Sequence, residues 1–251
     1  MLLKDLYDLN SVECVKVSRN SHGQPIGSEA QLLAGYLSII ARNANLLSIN
    51  YESWHHMSNN NKNQAVNNIK ERFALEVSDN YMKKALAKKW RDHKSTLKKE
   101  YFKKNISLEE KLQNVPLGML RYQWEDAVRF WNSKKGEDRE RVGTTSRQKQ
   151  KFTHTVGSKS FACVADEEEL SSGQKVGRFQ LFDITYRKKD GSHMATEAAE
   201  IMEKLNDKRV KYEAMASSDS YVNLDDIDNR IITEVLDLER YGRVLISRIF
   251  C

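Results

Sequence analysis

A mainly α-helical fold is what this sequence predicts, and three observations predict it. The 251 residues hold only two prolines, Pro25 and Pro116, so little interrupts long helices. Apolar residues recur at helical spacing in several separate stretches. Strand-like character is confined to short pieces such as FQLFDITY. The expected organisation is a flexible lead-in over residues 1–27 and a helical module over 28–133. A basic linker over 134–160 and a small α+β region with long helices over 161–251 follow.

Each element has its own justification. The lead-in is polar and ends in the turn-rich HGQPIGS. Residues 28–43 read as a helix with Ser28 as cap and Leu32, Leu33, Tyr36, Ile39 and Ile40 at helical spacing. INYESW, residues 49–54, is short and extended in expectation, with Trp54 turned inward. After the Asn-rich loop SNNNKN, residues 63–73 form a short helix carrying Val66, Ile69 and Phe73. The turn ALEVSDN leads into residues 80–104, a long helix free of Pro and Gly that Ser78 or Asp79 can cap. Leu86, Trp90, Leu97 and Tyr101 fall within about 60° of one another on it, a narrow apolar stripe.

Ser107 and Glu110 form a capping-box pattern for a short helix over 107–114, and VPLG breaks it. Residues 119–133 carry Trp124, Val128 and Trp131 on one side. The expected core is Trp54, Phe73, Leu86, Trp90, Leu97, Tyr101, Trp124 and Trp131. Residues 134–160 have few apolar side chains and several Gly and Ser, the composition of an arm that orders on a polyanion. Beyond Phe161, FQLFDITY suggests one or two strands ending in a turn at Asp190-Gly191. Helices over 194–217 and 225–240 close the chain, the second with Ile227, Ile231, Val235 and Leu238 at heptad-like spacing.

Charge is concentrated rather than diffuse. Residues 62–104 hold thirteen Lys or Arg against five Asp or Glu, a local +8, while the whole chain nets +6. Residues 129–160 add nine basic against three acidic residues, and residues 161–251 reverse the balance with eighteen acids against thirteen bases. On the long helix, Lys84, Lys88, Arg91, Lys98, Lys99 and Lys103 lie away from the apolar stripe, diluted only by Asp92 and Glu100. Like-charge i,i+4 pairs such as Lys84–Lys88 and Lys94–Lys98 each cost about 0.2–0.5 kcal/mol. A helix that keeps them points to an anionic partner, and a phosphate backbone is the partner such a row fits. The plainer reading, a solvated face, needs no partner.

The expected DNA contacts on this helix are Lys83, Lys84, Lys88, Lys89, Arg91, Lys94, Lys98 and Lys99. Arg91 is the expected base reader, because its planar fork pairs bidentately with guanine. Arg139, Arg141, Arg147, Lys149 and Lys151 in the arm would add non-specific affinity. A helix, a turn and a longer basic helix around Trp54, Phe73 and Trp90 have the order of a Myb-like three-helix reader.

Other chemistries lack their residues. Cys14, Cys163 and Cys251 are odd in number and far apart, without a CxxC pair, which suits a reducing compartment, cytosol or nucleus. No apolar run is long enough for a membrane span. No Gly-rich phosphate loop, GxSxG or HExxH occurs, and no metal, cofactor or catalytic set is assigned. His154 and Cys163 have no metal spacing, His55 and His56 are adjacent, and Asp183, placed on a strand in this reading, has no convincing carboxylate partner.

Several blocks resemble a known family. GQPIG, YLSIIAR, Trp54, IKERF and KKWRDHKSTLKKEYF, then WEDAVRFW, SRQKQKFTHTVGSKSFA, GRFQLFDITYRKKDG and LERYGRV, occur in the order seen in plant transposases of the Ptta/En/Spm type. The resemblance runs from about residue 23 to 244. It implies a protein encoded by a CACTA-type DNA transposon, in a region that is non-catalytic or accessory. Two departures stand out: Val66 replaces a usual Trp, with a looser helical core expected, and the chain ends in LISRIFC where the family pattern continues into a coiled coil. The second gives the expectation of a truncated copy.

The first functional expectation is therefore a nuclear, transposon-derived protein that binds double-stranded DNA, with transposon ends as target. Two alternatives stand beside it. One is a fragment of a Mg²⁺-dependent catalytic transposase, which requires a carboxylate cluster. The other is an interaction or oligomerisation module whose acidic C-terminal helices bind a catalytic transposase or a second copy of the chain.

Overall fold

The computed structural model describes residues 14–20, 23–103, 105–148, 159–188, 190–192, 196–216 and 224–235. Among them the chain is mainly helical, with ten helices and two short strands. It divides into two units: residues 1–19 with 28–147, and residues 20–27 with 148–251.

In the first unit, β1 (Val15–Lys16) pairs in parallel with β2 (Phe73–Ala74), Val15 opposite Phe73. Val15 and Val17 are buried, so this part of the expected lead-in is tied into the fold. Helix α1 (Gly27–Arg42) buries Leu32, Leu33, Tyr36, Leu37 and Ile40, close to the expected stripe. Ser28 does not cap it: its hydroxyl bonds Glu29 inside the first turn. Residues 49–54 form turns rather than a strand, and Trp54 packs on Trp90 with ring centroids 6.0 Å apart.

Helix α2 (Asn59–Lys70) starts earlier than expected, because Ser58 accepts a hydrogen bond from Asn61 N at 3.2 Å. It also ends earlier, and Phe73 is buried from β2 rather than from the helix. Val66, where a looser helical core is expected from the sequence, is fully enclosed. Helices α2 and α3 follow in the expected order, yet the connection holds a strand paired with β1, which a Myb-like module does not call for.

Ser78, not Asp79, caps α3 (Asp79–Tyr101) by accepting from Tyr81 N at 3.3 Å. The helix buries Met82, Leu86, Ala87, Trp90 and Leu97, with Tyr101 half-buried on the same side. Each such large apolar side chain contributes roughly 1.5–3 kcal/mol of burial. Trp90 also donates its indole N–H to Ser48 O at 3.2 Å, so its one polar atom is satisfied.

A second cluster gathers around the end of α3. Ser107 and Glu110 make the expected capping box at the start of α4 (Leu108–Gln113). Helix α5 (Arg121–Trp131) buries Trp124, Ala127, Val128 and Trp131, which pack with Ile49 and Leu97. Trp124 and Trp131 meet edge-on at 5.6 Å, and Trp124 Nε1 donates to Lys111 O at 2.8 Å.

Residues 134–148, expected as part of a linker, form helix α6 (Lys134–Gln148). Ser133 starts it by accepting from Gly136 N at 3.2 Å. Its charges then tie it down from one side: Lys135 pairs with Glu52, and Glu140 with Lys98 at 2.7 Å. A helix fixed by ion pairs and one glycine contact shows almost no apolar periodicity, which is why its composition reads as an arm.

In the second unit, α7 (Phe161–Ser172) is capped by Ser160 and ended by Gly173 at φ 69°. The expected strand FQLFDITY is instead helix α8 (Arg178–Tyr186). Phe179, Leu181, Phe182, Thr185 and Tyr186 are all buried, so the segment is enclosed on most sides and burial overrides its local preference for strand. The C-terminal region is accordingly helical rather than α+β among the described residues.

The turn at Asp190-Gly191 forms as predicted, with Gly191 at φ 83° and Asp190 Oδ1 accepting from Ser192 N at 2.9 Å. Helices α9 (Thr196–Ala216) and α10 (Leu224–Val235) then bring Met202, Leu205, Ile231 and Ile232 onto α8. Of the heptad-like positions, Ile231 is fully buried and Val235 packs beside it, whereas Leu238 lies outside the described residues.

Candidate nucleic-acid interface

The cations of α3 do not form one row. Lys84, Lys88, Arg91 and Lys99 are exposed and recur at spacings of four, three and eight residues, which keeps them on one side of the helix. Among the described residues none of these four is ion-paired with a carboxylate. Lys83 and Lys89 are half-buried on other sides. The Lys89 ammonium is held below its ordinary value, first by burial and then by Lys88.

Lys94 and Lys98 turn towards α6 instead. Lys94 is buried, donates to the Tyr51 carbonyl, and lies 5.1 Å from the Trp90 ring centroid and 5.6 Å from that of Phe130. Burial, reinforced by Arg139, lowers its pKa to about 8. A lysine expected as a solvent-facing phosphate contact is thus a wall of the interior. Lys98 Nζ sits 2.7 Å from Glu140 Oε2 and 5.4 Å from the Phe102 ring centroid.

Between α3, α5 and α6 runs a groove of about 1060 Å³. Among the described residues its walls carry Arg91, Lys94, Lys98, Lys99, Lys103, Arg139 and Arg147 against Glu52 and Glu140. Trp54, Trp90, Phe102, Phe130 and Trp131 form its aromatic side. Arg139 of the expected arm belongs here: its guanidinium lies 5.4 Å from the Phe130 ring centroid, near Glu52 at 3.8 Å. Glu52 is itself held below the usual carboxylate range, first by its hydrogen bond from Lys135. Arg141 points elsewhere and pairs with Asp138 at 2.9 Å. Lys149, Lys151 and His154 lie outside the described residues.

Sequence reasoning missed Glu52, Phe130, Glu140 and Gly143. A signal existed for the last two: positions 136, 140, 143 and 147 recur at helical spacing, and all four line the groove. Glu52 carried no such signal, because only the folding of the 49–54 turn brings it to α6.

Elsewhere, Asp183 sits on a helix, paired with Arg187 at 2.8 Å, and not on a strand. Among the described residues no group of three or more His, Cys, Asp or Glu is placed to hold a metal ion. No described helix is long and apolar enough to cross a membrane.

A family model described as plant transposase (Ptta/En/Spm family) matches residues 120–247. The match takes in α5, α6 and the later blocks GRFQLFDITYRKKDG and LERYGRV, and begins after α3. No curated protein and no solved structure matches the chain. The match spans just over half of the sequence, and the chain belongs to the Ptta/En/Spm family of plant transposases.

Proposed function

We propose that this transposase-family chain binds double-stranded DNA through the exposed cations of α3, as an accessory, nuclear protein acting at transposon ends. The observation that carries the reading is the row Lys84, Lys88, Arg91 and Lys99, exposed and without a carboxylate partner among the described residues, on a helix whose other side is anchored by Met82, Leu86, Trp90 and Leu97. From Lys84 to Lys99 the row extends about 22 Å at 1.5 Å per residue, enough to follow several phosphates. Arg91, at its middle, is the member suited to a guanine edge.

The test is duplex binding by the full chain at several salt concentrations. Each phosphate contact contributes about 0.9 to the slope of log affinity against log salt. Replacing Lys84 and Lys88 by Ala should weaken binding and lower that slope by about 2. An unchanged slope refutes the assignment. Transposon ends as the target require, in addition, tighter binding to terminal-repeat duplexes than to scrambled ones.

A further inference from the structure

We infer that the groove between α3 and α6 holds a single strand of DNA, a ligand different from the duplex assigned to the outer row of α3. The inference does not rest on the duplex reading: Arg91 and Lys99 border both surfaces, whereas Lys84 and Lys88 lie outside the groove.

Three features lead to it. The first is charge: seven cations against two carboxylates line one concavity, a balance that favours a polyanion. The second is the chemistry of the walls. Cations and aromatic rings alternate, Lys98 over Phe102 and Trp131, Arg139 over Phe130. Phe102 and Phe130 are only half-buried. Phosphates need the first kind of group and unpaired bases need the second, as in grooves that follow single strands.

The third feature is width. The Lys98–Glu140 ion pair of 2.7 Å joins the two walls. A duplex, whose major groove alone is about 12 Å wide, does not enter between walls so bridged. A volume of about 1060 Å³ sits at the top of the roughly 300–1,000 Å³ typical of ligand clefts, room for a few nucleotides. Gly143 keeps part of the α6 wall low: a side chain there would meet nothing within 4 Å and would project into free space.

That glycine supplies the decisive variant. Gly143→Leu adds volume without changing charge, at an exposed helix position where leucine is the better helix former. The second variant, Glu140→Gln, removes the crossbar and releases Lys98. Binding of the full chain to a labelled mixed-sequence oligonucleotide is measured as single strand, as duplex, and as an abasic strand of equal length. Polyglutamate serves as competitor, and thermal melts by circular dichroism check folding.

The expected result is that Gly143→Leu weakens single-strand binding about tenfold, Glu140→Gln strengthens it several-fold, and neither changes duplex binding. The abasic strand should bind more weakly than the intact one. Unaltered single-strand affinity in a folded Gly143→Leu protein overturns the inference. So do equal affinity for the abasic strand, or parallel changes for strand and duplex. Displacement by polyglutamate at matched charge would assign the groove to an acidic peptide instead. Loss of duplex binding on replacing Lys84 and Lys88, with single-strand binding intact, separates the two sites.

Discussion

Gly136 at the start of α6 stands so near the Phe130 carbonyl oxygen at the end of α5 that no side chain fits between them. A β-carbon at position 136 would overlap the Phe130 carbonyl oxygen and stand 3.0 Å from Trp131 Cα. Both neighbours are backbone atoms and cannot rotate away. Gly136→Ala should therefore push α6 off α5, at a cost of about 1–3 kcal/mol in denaturant stability, as other overpacking changes do. Gly143→Ala is the internal control on the same helix. With nothing within 4 Å, it should stabilise by about 0.5–1 kcal/mol.

Lys94 makes stability depend on alkaline pH. Its folded pKa of about 8 lies below the ordinary 10.5. Between those values the unfolded chain binds a proton that the folded protein does not, so stability rises with pH across that window. Below about 8 both states are charged and the burial cost is fully present; above 10.5 both are neutral and it is gone. Denaturant melts of the wild type from pH 7.5 to 10.5 should gain stability relative to Lys94→Met, by at most about 3 kcal/mol. Parallel curves would show that the ammonium is not desolvated.

Glu234 gives the opposite sign at acid pH. Hydrogen bonds, first from Lys208 and then from Tyr212, hold its carboxyl down to about 2 from an ordinary 4.5. Its stabilising contribution is complete above pH 4.5 and disappears as pH falls through 2. Lys208 and Tyr212 lie on α9 and Glu234 on α10, so the group links the two helices. Glu234→Gln should lower the melting temperature at neutral pH and flatten the acid limb of the stability curve. An unaltered limb would remove the link.

Much of the fold was legible in the residues. The caps Ser78 and Ser107, the stripe from Leu86 to Tyr101, the Trp124–Val128–Trp131 side of α5 and the turn at Asp190-Gly191 all follow from local spacing. Two segments were misread for the same reason. Residues 134–148 look like an arm and residues 178–186 like strand, because what makes each a helix lies far away in the chain. For α6 it is Glu52 and Lys98, and for α8 the core side chains of α9 and α10.

The sequence by itself determined that the chain is helical, that its positive charge gathers between residues 62 and 104, and that its blocks are those of a plant transposase family. Helix periodicity, capping and composition are local, so a linear reading contains them. Only the tertiary structure decided how that charge is divided, with Lys84 and Lys88 outward, Arg91 and Lys99 exposed but also bordering the groove, and Lys94 and Lys98 turned into it with Arg139. The physical reason is that a cation's environment depends on which neighbour covers it. Tyr51, Phe130 and Glu140 reach those two lysines only when the 49–54 turn, α5 and α6 fold onto α3.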